Sequence, residues 1–283
     1  MRIDPLWLRQ QFPDLSSLTP LNPGGQKSVY AGRHPVDGEV VLKIFHPNTE
    51  PERALREVRA VQNIRSPRVP RVLDIGLAQS SLGNIIWLRE EMVAGVSLRD
   101  RLAGGALSPQ EVMMLGLHVL EALAAAEAVR IVHRDVKPEN TIVATDGSYW
   151  LLDFGIARHL DQHSLTATGL AFGLGTAGYA PPEQFRNIKP EIDARSDLFA
   201  LGVTIYECVE GVNPFRVRAR DVAEVLRRIE TKPLPPISKR IDSAGQFRDL
   251  VIAMTRIQRN HRPASAADAL QWMQEICNRE GIR

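Results

Sequence analysis

Cysteine is scarce in this chain. Its 283 residues include two, Cys208 and Cys277, far apart and outside any C-x-x-C spacing. That excludes a disulfide framework and a cysteine zinc site, and it fits a reducing compartment, so the expected location is cytoplasmic. Nor does charge of one sign dominate. Thirty-five basic and 33 acidic residues leave a net +2, so bulk electrostatics gives no argument for nucleic acid or a membrane surface as partner. Long hydrophobic runs are missing. The most apolar window, Met113 to Val129, is broken by His118, Glu121 and Glu127, and it reads as a buried helix of a soluble domain rather than a membrane span. Met1 to Gln10 carry no apolar run suited to a signal peptide. Repeats and low-complexity tracts are absent. What remains is an average composition, 44% hydrophobic and 24% charged, enough to bury one or two globular cores.

Strand-like runs fill roughly the first 95 residues: Val29–Tyr30, Val40–Phe45, Val72–Leu77 and Ile85–Leu88, with Gly, Pro or Ser between them. One helix interrupts them. Thr49 followed by Glu52 makes a capping-box pattern, and the segment runs to about Ile64. From Ser97 helical signals take over, with Ser108–Pro109 opening a helix at a good N-cap and proline in its first turn. Strands followed by helices indicate an α+β chain of two lobes. The seam is expected near Ala94–Gly95, giving residues 1–94 and 95–283.

The most specific chemistry lies in His133-Arg134-Asp135-Val136-Lys137-Pro138-Glu139-Asn140. Asp135 can take a proton from an attacking hydroxyl, Lys137 can neutralise a transferring phosphoryl group, and the amide oxygen of Asn140 can ligate a metal. Asp153-Phe154-Gly155 follows the strand-like Tyr149–Leu152. A carboxylate at a strand end suits Mg²⁺, a hard ion that prefers oxygen ligands and bridges to phosphates. Each motif alone is weak; together they are hard to read as polar turns.

These motifs resemble the catalytic loop and magnesium loop of protein kinases, and the resemblance covers about residues 20 to 275. It implies a two-lobed protein-kinase-like fold, with a β-rich N-lobe that holds ATP and a mainly helical C-lobe. It places Lys43, in Val40-Val41-Leu42-Lys43, on the α- and β-phosphates. Lys43 then needs an acidic partner from the following helix. At ~100° per residue, Ala54, Val58, Val61 and Ile64 share a face with Glu57 and not with Glu52. A carboxylate on a buried face needs a cation, so Glu57 is the expected partner and Glu52 the cap.

The phosphate-covering loop, Asn22-Pro23-Gly24-Gly25-Gln26-Lys27-Ser28-Val29, departs from the family. Asn22 and Lys27 replace two glycines. Gly24 and Gly25 still allow close approach to phosphate, and Val29 would cover the adenine. The hinge, Leu88 to Gly95, would present the backbone of Glu91 and Val93 to the adenine edge, with Val41 and Ile142 as further walls. Glu90 then falls at the rear of that pocket. A glutamate there means either a shifted register or a cation that the sequence does not identify.

Gly155 to Glu183 carries Ser164, Thr166, Thr168 and Thr176. By resemblance, a phosphate on Ser164, Thr166 or Thr168 would be captured by Arg134, which makes autophosphorylation expected. Gly175-Thr176-Ala177-Gly178-Tyr179-Ala180-Pro181-Pro182-Glu183 resembles the peptide-receiving platform, with Pro182 in place of alanine. Glu183 is expected to pair with Arg262, and Asp197 to hold the catalytic-loop backbone. The basic turn Arg216, Arg218, Arg220 reads either as a docking site for an acidic partner or as a solvated loop.

The expected activity is ATP- and Mg²⁺-dependent transfer to Ser/Thr hydroxyls of protein substrates, in the manner of the bacterial eukaryotic-like (Hanks-type) branch. No nucleic-acid partner or membrane segment is expected, and self-association for autophosphorylation is compatible with it. Two rivals stay open: a pseudokinase-type binding or scaffolding module, and a kinase-fold small-molecule phosphotransferase.

Overall fold

The computed structural model describes residues 3–23, 27–45, 55, 59–80, 83–154 and 177–282. These fall into two compact units, one within Met1–Ile64 and Pro70–Val93, the other within Arg65–Val69, Ala94–Phe154 and Leu170–Arg283.

The first unit begins with helix α1 (Pro5–Gln11). Asp4 caps it by accepting the Leu6 N–H at 2.9 Å, and Pro5 sits in its first turn, where a missing N–H costs nothing. Five strands follow: β1 (Ser16–Pro23), β2 (Lys27–His34), β3 (Gly38–Phe45), β4 (Val72–Ser80) and β5 (Gly83–Glu91). They form one antiparallel sheet in the order β1-β2-β3-β5-β4. The four expected strands are the centres of β2 to β5, each longer than the apolar run that marked it.

Alternation along β3 splits the sheet into two faces. Val40, Leu42 and Ile44 are fully buried with Ala78 and Ile85 beneath Ile3, Leu8, Phe12 and Leu15. Trp7 clamps this helix to the sheet by donating from Nε1 to the Gln79 carbonyl (2.8 Å), and Phe12 meets Trp87 edge-on at 5.2 Å. On the opposite face Phe45, Ile86 and Leu88 pack with Leu55, Val61, Val72 and Ile75. Leu55 and residues 59–61 are helical. The helix stops at Val61 rather than Ile64, and Glu52 and Glu57 lie outside the described residues.

The second unit carries a small antiparallel sheet, β6 (Gly95–Ser97), β7 (Thr141–Ala144) and β8 (Tyr149–Leu151), in that order. Its helices are α2 (Leu98–Leu102), α3 (Pro109–Ala128), α4 (Pro182–Phe185), α5 (Ala194–Glu210), α6 (Val222–Thr231), α7 (Gln246–Met254) and α8 (Ala266–Arg279). Ser108 and Glu111 form a reciprocal capping box at the start of α3. Helix α5 is buried on nearly every side, packed against α3 and α7. Its contact with α7 depends on Gly202, where a Cβ would lie 2.4 Å from Thr255 Cγ2. Cys208 and Cys277 are buried free thiols, pushed to higher pKa by burial. Among the described residues no helix is long and apolar enough to cross a membrane.

Candidate active site

The loop between α3 and β7 holds Asp135, Lys137 and Asn140, and α5 fixes it from behind. Asp197, in the first turn of α5 and 2% exposed, accepts the His133 and Arg134 backbone N–H groups, each at 2.7 Å. The Arg134 carbonyl accepts from Gln184 Nε2 at 2.7 Å. Arg134 therefore has both backbone polar groups committed, which holds it at φ +65°. Such left-handed backbone costs a non-glycine residue roughly 1–3 kcal/mol and persists only where its surroundings over-determine it.

His133 is fully buried and joins this loop to the next one. Its Nδ1 accepts the Asp135 N–H (3.1 Å), so Nε2 bears the proton and donates to the Leu152 carbonyl at 2.7 Å. Its ring meets Phe154 edge-on at 4.6 Å. The Leu152 N–H donates in turn to the Asn140 carbonyl at 2.8 Å. Asp153 follows β8 with φ +61°, the same strained region as Arg134.

Lys137 Nζ lies 2.8 Å from Asp135 Oδ2. Asn140 Nδ2 donates to the Asp135 carbonyl (2.7 Å) and to the same carboxylate oxygen (2.8 Å). That directs the Asn140 amide oxygen away from the pair. The oxygen donors of Asn140 and Asp153 are the kind a hard divalent cation accepts, on two loops tied together at Leu152, so the donor set fits such an ion.

In the first unit, Lys43 forms an ion pair with Glu90. The register is not shifted: Val41 lies opposite Glu90 and Lys43 opposite Leu88. The cation that the sequence did not identify for Glu90 is therefore Lys43 itself, its diagonal neighbour on the same face. Val29 lies opposite Lys43 and shares that face with half-buried Val41. Glu91 and Val93 are half-buried after it, with the Glu91 N–H committed to the Arg71 carbonyl at 3.0 Å. Ile142 is half-buried on β7 of the second unit. Gly24, Gly25, Glu57, Ser164, Thr166, Thr168 and Thr176 lie outside the described residues.

The peptide-platform motif enters the described residues at Ala177. Gly178 has φ +107°, and a Cβ there would lie 2.5 Å from Arg216 Cγ. Tyr179 is buried and donates its hydroxyl to Glu207 of α5. Arg99 of α2 binds Glu207 (2.7 Å), the Tyr179 oxygen (2.6 Å) and Glu139 of the catalytic loop (2.9 Å). Burial, with Glu207 beside it, pushes the Tyr179 phenol well above its usual range. Burial works against the Arg99 charge, but its bond to Glu207 and the attraction of Tyr179, Glu207 and Glu139 outweigh it, so the net shift is upward. Glu183 meets Arg262 at 2.6 Å and accepts from Ser196 Oγ at 2.9 Å. The Arg262 guanidinium also lies 4.9 Å from the Phe199 ring centroid.

Arg99, Glu139, Glu207 and Gln184 were not anticipated. Glu207 left a signal: it is the one charged residue in the helical run 198–209, and a buried carboxylate demands a cation. Arg220 of the basic turn is taken up by Glu224 (3.2 Å). The Glu224 carboxyl is held down to about 2 by the Arg220 backbone N–H and the Arg228 side chain.

A carboxylate flanked by a lysine and a carboxamide, clamped from a buried helix and tied to a second aspartate loop, is the arrangement expected of a protein kinase fold. The sequence profile of the protein kinase domain matches residues 18–277, and the chain belongs to that family. Bacterial proteins are among its relatives. It is 34% identical over 236 residues to a probable serine/threonine-protein kinase, CPE1738, of Clostridium perfringens, covering 81% of this chain and 33% of that one. It is 30% identical over 252 residues to serine/threonine-protein kinase PknB of Mycolicibacterium smegmatis (87% and 40%). With serine/threonine-protein kinase PknL of Mycobacterium tuberculosis the identity is 37% over 199 residues (68% and 48%). The chain thus spans a third to two-fifths of the first two relatives' lengths. Membership implies ATP and a divalent metal.

Proposed function

We propose that this chain is a serine/threonine protein kinase that transfers the γ-phosphoryl group of ATP to hydroxyls of protein substrates, itself included. The observation that carries the reading is the Asp135 carboxylate, held by Lys137 and Asn140 on a loop whose backbone Asp197 clamps. The printed names of the relatives support it.

Asp135 orients the acceptor hydroxyl and takes its proton on the carboxylate. Lys137, already 2.8 Å from that carboxylate, offsets charge on the transferring group. Lys43 binds the α- and β-phosphates, with Glu57 the expected helix carboxylate. Asn140 and Asp153 hold Mg²⁺, which offsets phosphate charge when bound. Gly24, Gly25, Val29, Val41, Glu91, Val93 and Ile142 contact the nucleotide. We assign nucleotide handling to residues 1–94 and the catalytic loop, activation segment and platform to residues 95–283. The rate gain comes mainly from positioning and electrostatics, since phosphoryl transfer asks little covalent chemistry of the protein. Arg134 captures phosphate placed on Ser164, Thr166 or Thr168, and Thr176 belongs to the peptide platform. The free thiols Cys208 and Cys277 suit a cytoplasmic setting.

Acceptor preference tests the reading. With Mg²⁺-ATP, phosphate should reach Ser and Thr of a basic protein or a peptide library and not Tyr. Transfer confined to small alcohols or aminoglycosides would replace it with a small-molecule phosphotransferase.

A further inference from the structure

The β3 lysine of this chain has a carboxylate partner within its own sheet. Lys43 and Glu90 are diagonal neighbours on adjacent antiparallel strands, with their side chains 4% and 8% exposed. Their face of the sheet also carries Phe45, Ile86 and Leu88, each 2% exposed or less. A charge in such surroundings must be paired, and removing either residue takes a buried counter-charge from the other.

Stability does not explain the pair. A buried ion pair is often matched or exceeded by apolar residues of similar volume. What the pair supplies is geometry. Both residues sit on hydrogen-bonded strands of one sheet, so the ammonium position follows from strand register. Sites carried on strands are held more precisely than sites on mobile elements.

We propose that Glu90 is a positioning residue for phosphoryl transfer: it holds the Lys43 ammonium from within the sheet, where Lys43 meets the nucleotide phosphates. The inference rests on the kinase reading above and adds a determinant to its phosphate-binding lysine. It also reinterprets an oddity. A glutamate at the rear of the adenine pocket looks like a defect in the sequence, yet here it is the counter-charge of the lysine.

The test compares wild type, Glu90→Gln, Glu57→Gln, Lys43→Met, and the double variant Lys43→Met/Glu90→Leu, all as the full chain. Steady-state transfer from Mg²⁺-ATP and thermal melting are both measured. Glu90→Gln keeps the side-chain shape and removes the charge. It should lower kcat at least tenfold, with a smaller change in the KM for ATP. A role in folding alone would lower the melting temperature and leave kcat per folded molecule unchanged. Melting supplies a readout free of activity: Lys43→Met should melt several degrees below wild type, because Glu90 loses its buried counter-charge, and Lys43→Met/Glu90→Leu should recover most of that loss.

Wild-type kcat in Glu90→Gln, with the whole loss falling on Glu57→Gln, would overturn the proposal while leaving the kinase reading intact. A double variant that melts no higher than Lys43→Met would overturn the pairing itself. A wild type that transfers no phosphate to any acceptor would overturn the kinase reading, and the catalytic role of Glu90 with it.

Discussion

The two compact units hold their buried charges in different ways. In the helical unit three charges have several partners each. Asp197 binds two backbone N–H groups, Arg99 binds three side chains, and Glu183 meets both Arg262 and Ser196. In the sheet unit Lys43 and Glu90 face each other across two strands among apolar side chains. The first arrangement locks a loop into strained backbone, at Arg134 and Asp153. The second fixes the direction of one ammonium. Networks suit a site whose backbone must be held against its own preference; a contact between adjacent strands is positioned by a sheet that already fixes the backbone.

The largest effect should come from breaking a network in the helical unit. Arg262→Leu strands Glu183 in the interior, and unfolding should become easier by about 3–5 kcal/mol. Denaturant melts would read it, and Arg262→Leu/Glu183→Leu should recover most of the loss. Full recovery would mean that Glu183 alone, and not the backbone carbonyls that Arg262 also binds, makes this arginine important.

Next comes Asp197→Ala. It frees the His133 and Arg134 N–H groups and lets the catalytic loop drift. A misplacement of about 1 Å costs on the order of 10² in rate, so kcat should fall by about that factor. An unchanged kcat would mean that Gln184 and His133 hold the loop without it.

Gly202→Ala is a packing control away from both charge systems. Its methyl would collide with Thr255 across α5 and α7, at a cost of roughly 1–3 kcal/mol. Melting should fall while kcat per folded molecule stays put.

The smallest effect is a pH slope. Burial, reinforced by Arg68, holds the His118 pKa down at about 4 from the usual 6.5. The unfolded chain therefore takes up this proton first as pH falls. The contribution of neutral His118 is complete above about pH 6.5 and is lost progressively toward pH 4. His118→Gln should flatten the melting profile over that window; an identical slope in both proteins would assign it to other groups.

What the sequence revealed depended on how local the signal was. Asp135, Lys137 and Asn140 are close neighbours in one motif, and Lys43 lies within an apolar strand, so their places in the fold were legible. Glu183 and Arg262 are distant in sequence, and only the family resemblance joined them. The partner of Glu90 was not legible, because a diagonal contact depends on strand register that no periodicity reports. Strand β1 was hidden by Pro20 and Pro23, which an edge strand tolerates. Helix α1 is seven residues long, too short for a periodic pattern to stand out. The Arg99 network was missed because it gathers α2, the catalytic loop, the platform and α5 around one guanidinium.

The central claim is that Asp135 drives phosphoryl transfer to hydroxyls of proteins. Intact-mass and peptide mass spectrometry of the purified chain after incubation with Mg²⁺-ATP, beside Asp135→Ala, tests it most directly. The account predicts phosphate on Ser164, Thr166 or Thr168 in the wild type and none in the variant. Equal phosphorylation of both proteins, or no transfer to these residues or to any added protein by a wild type that binds ATP, would contradict it.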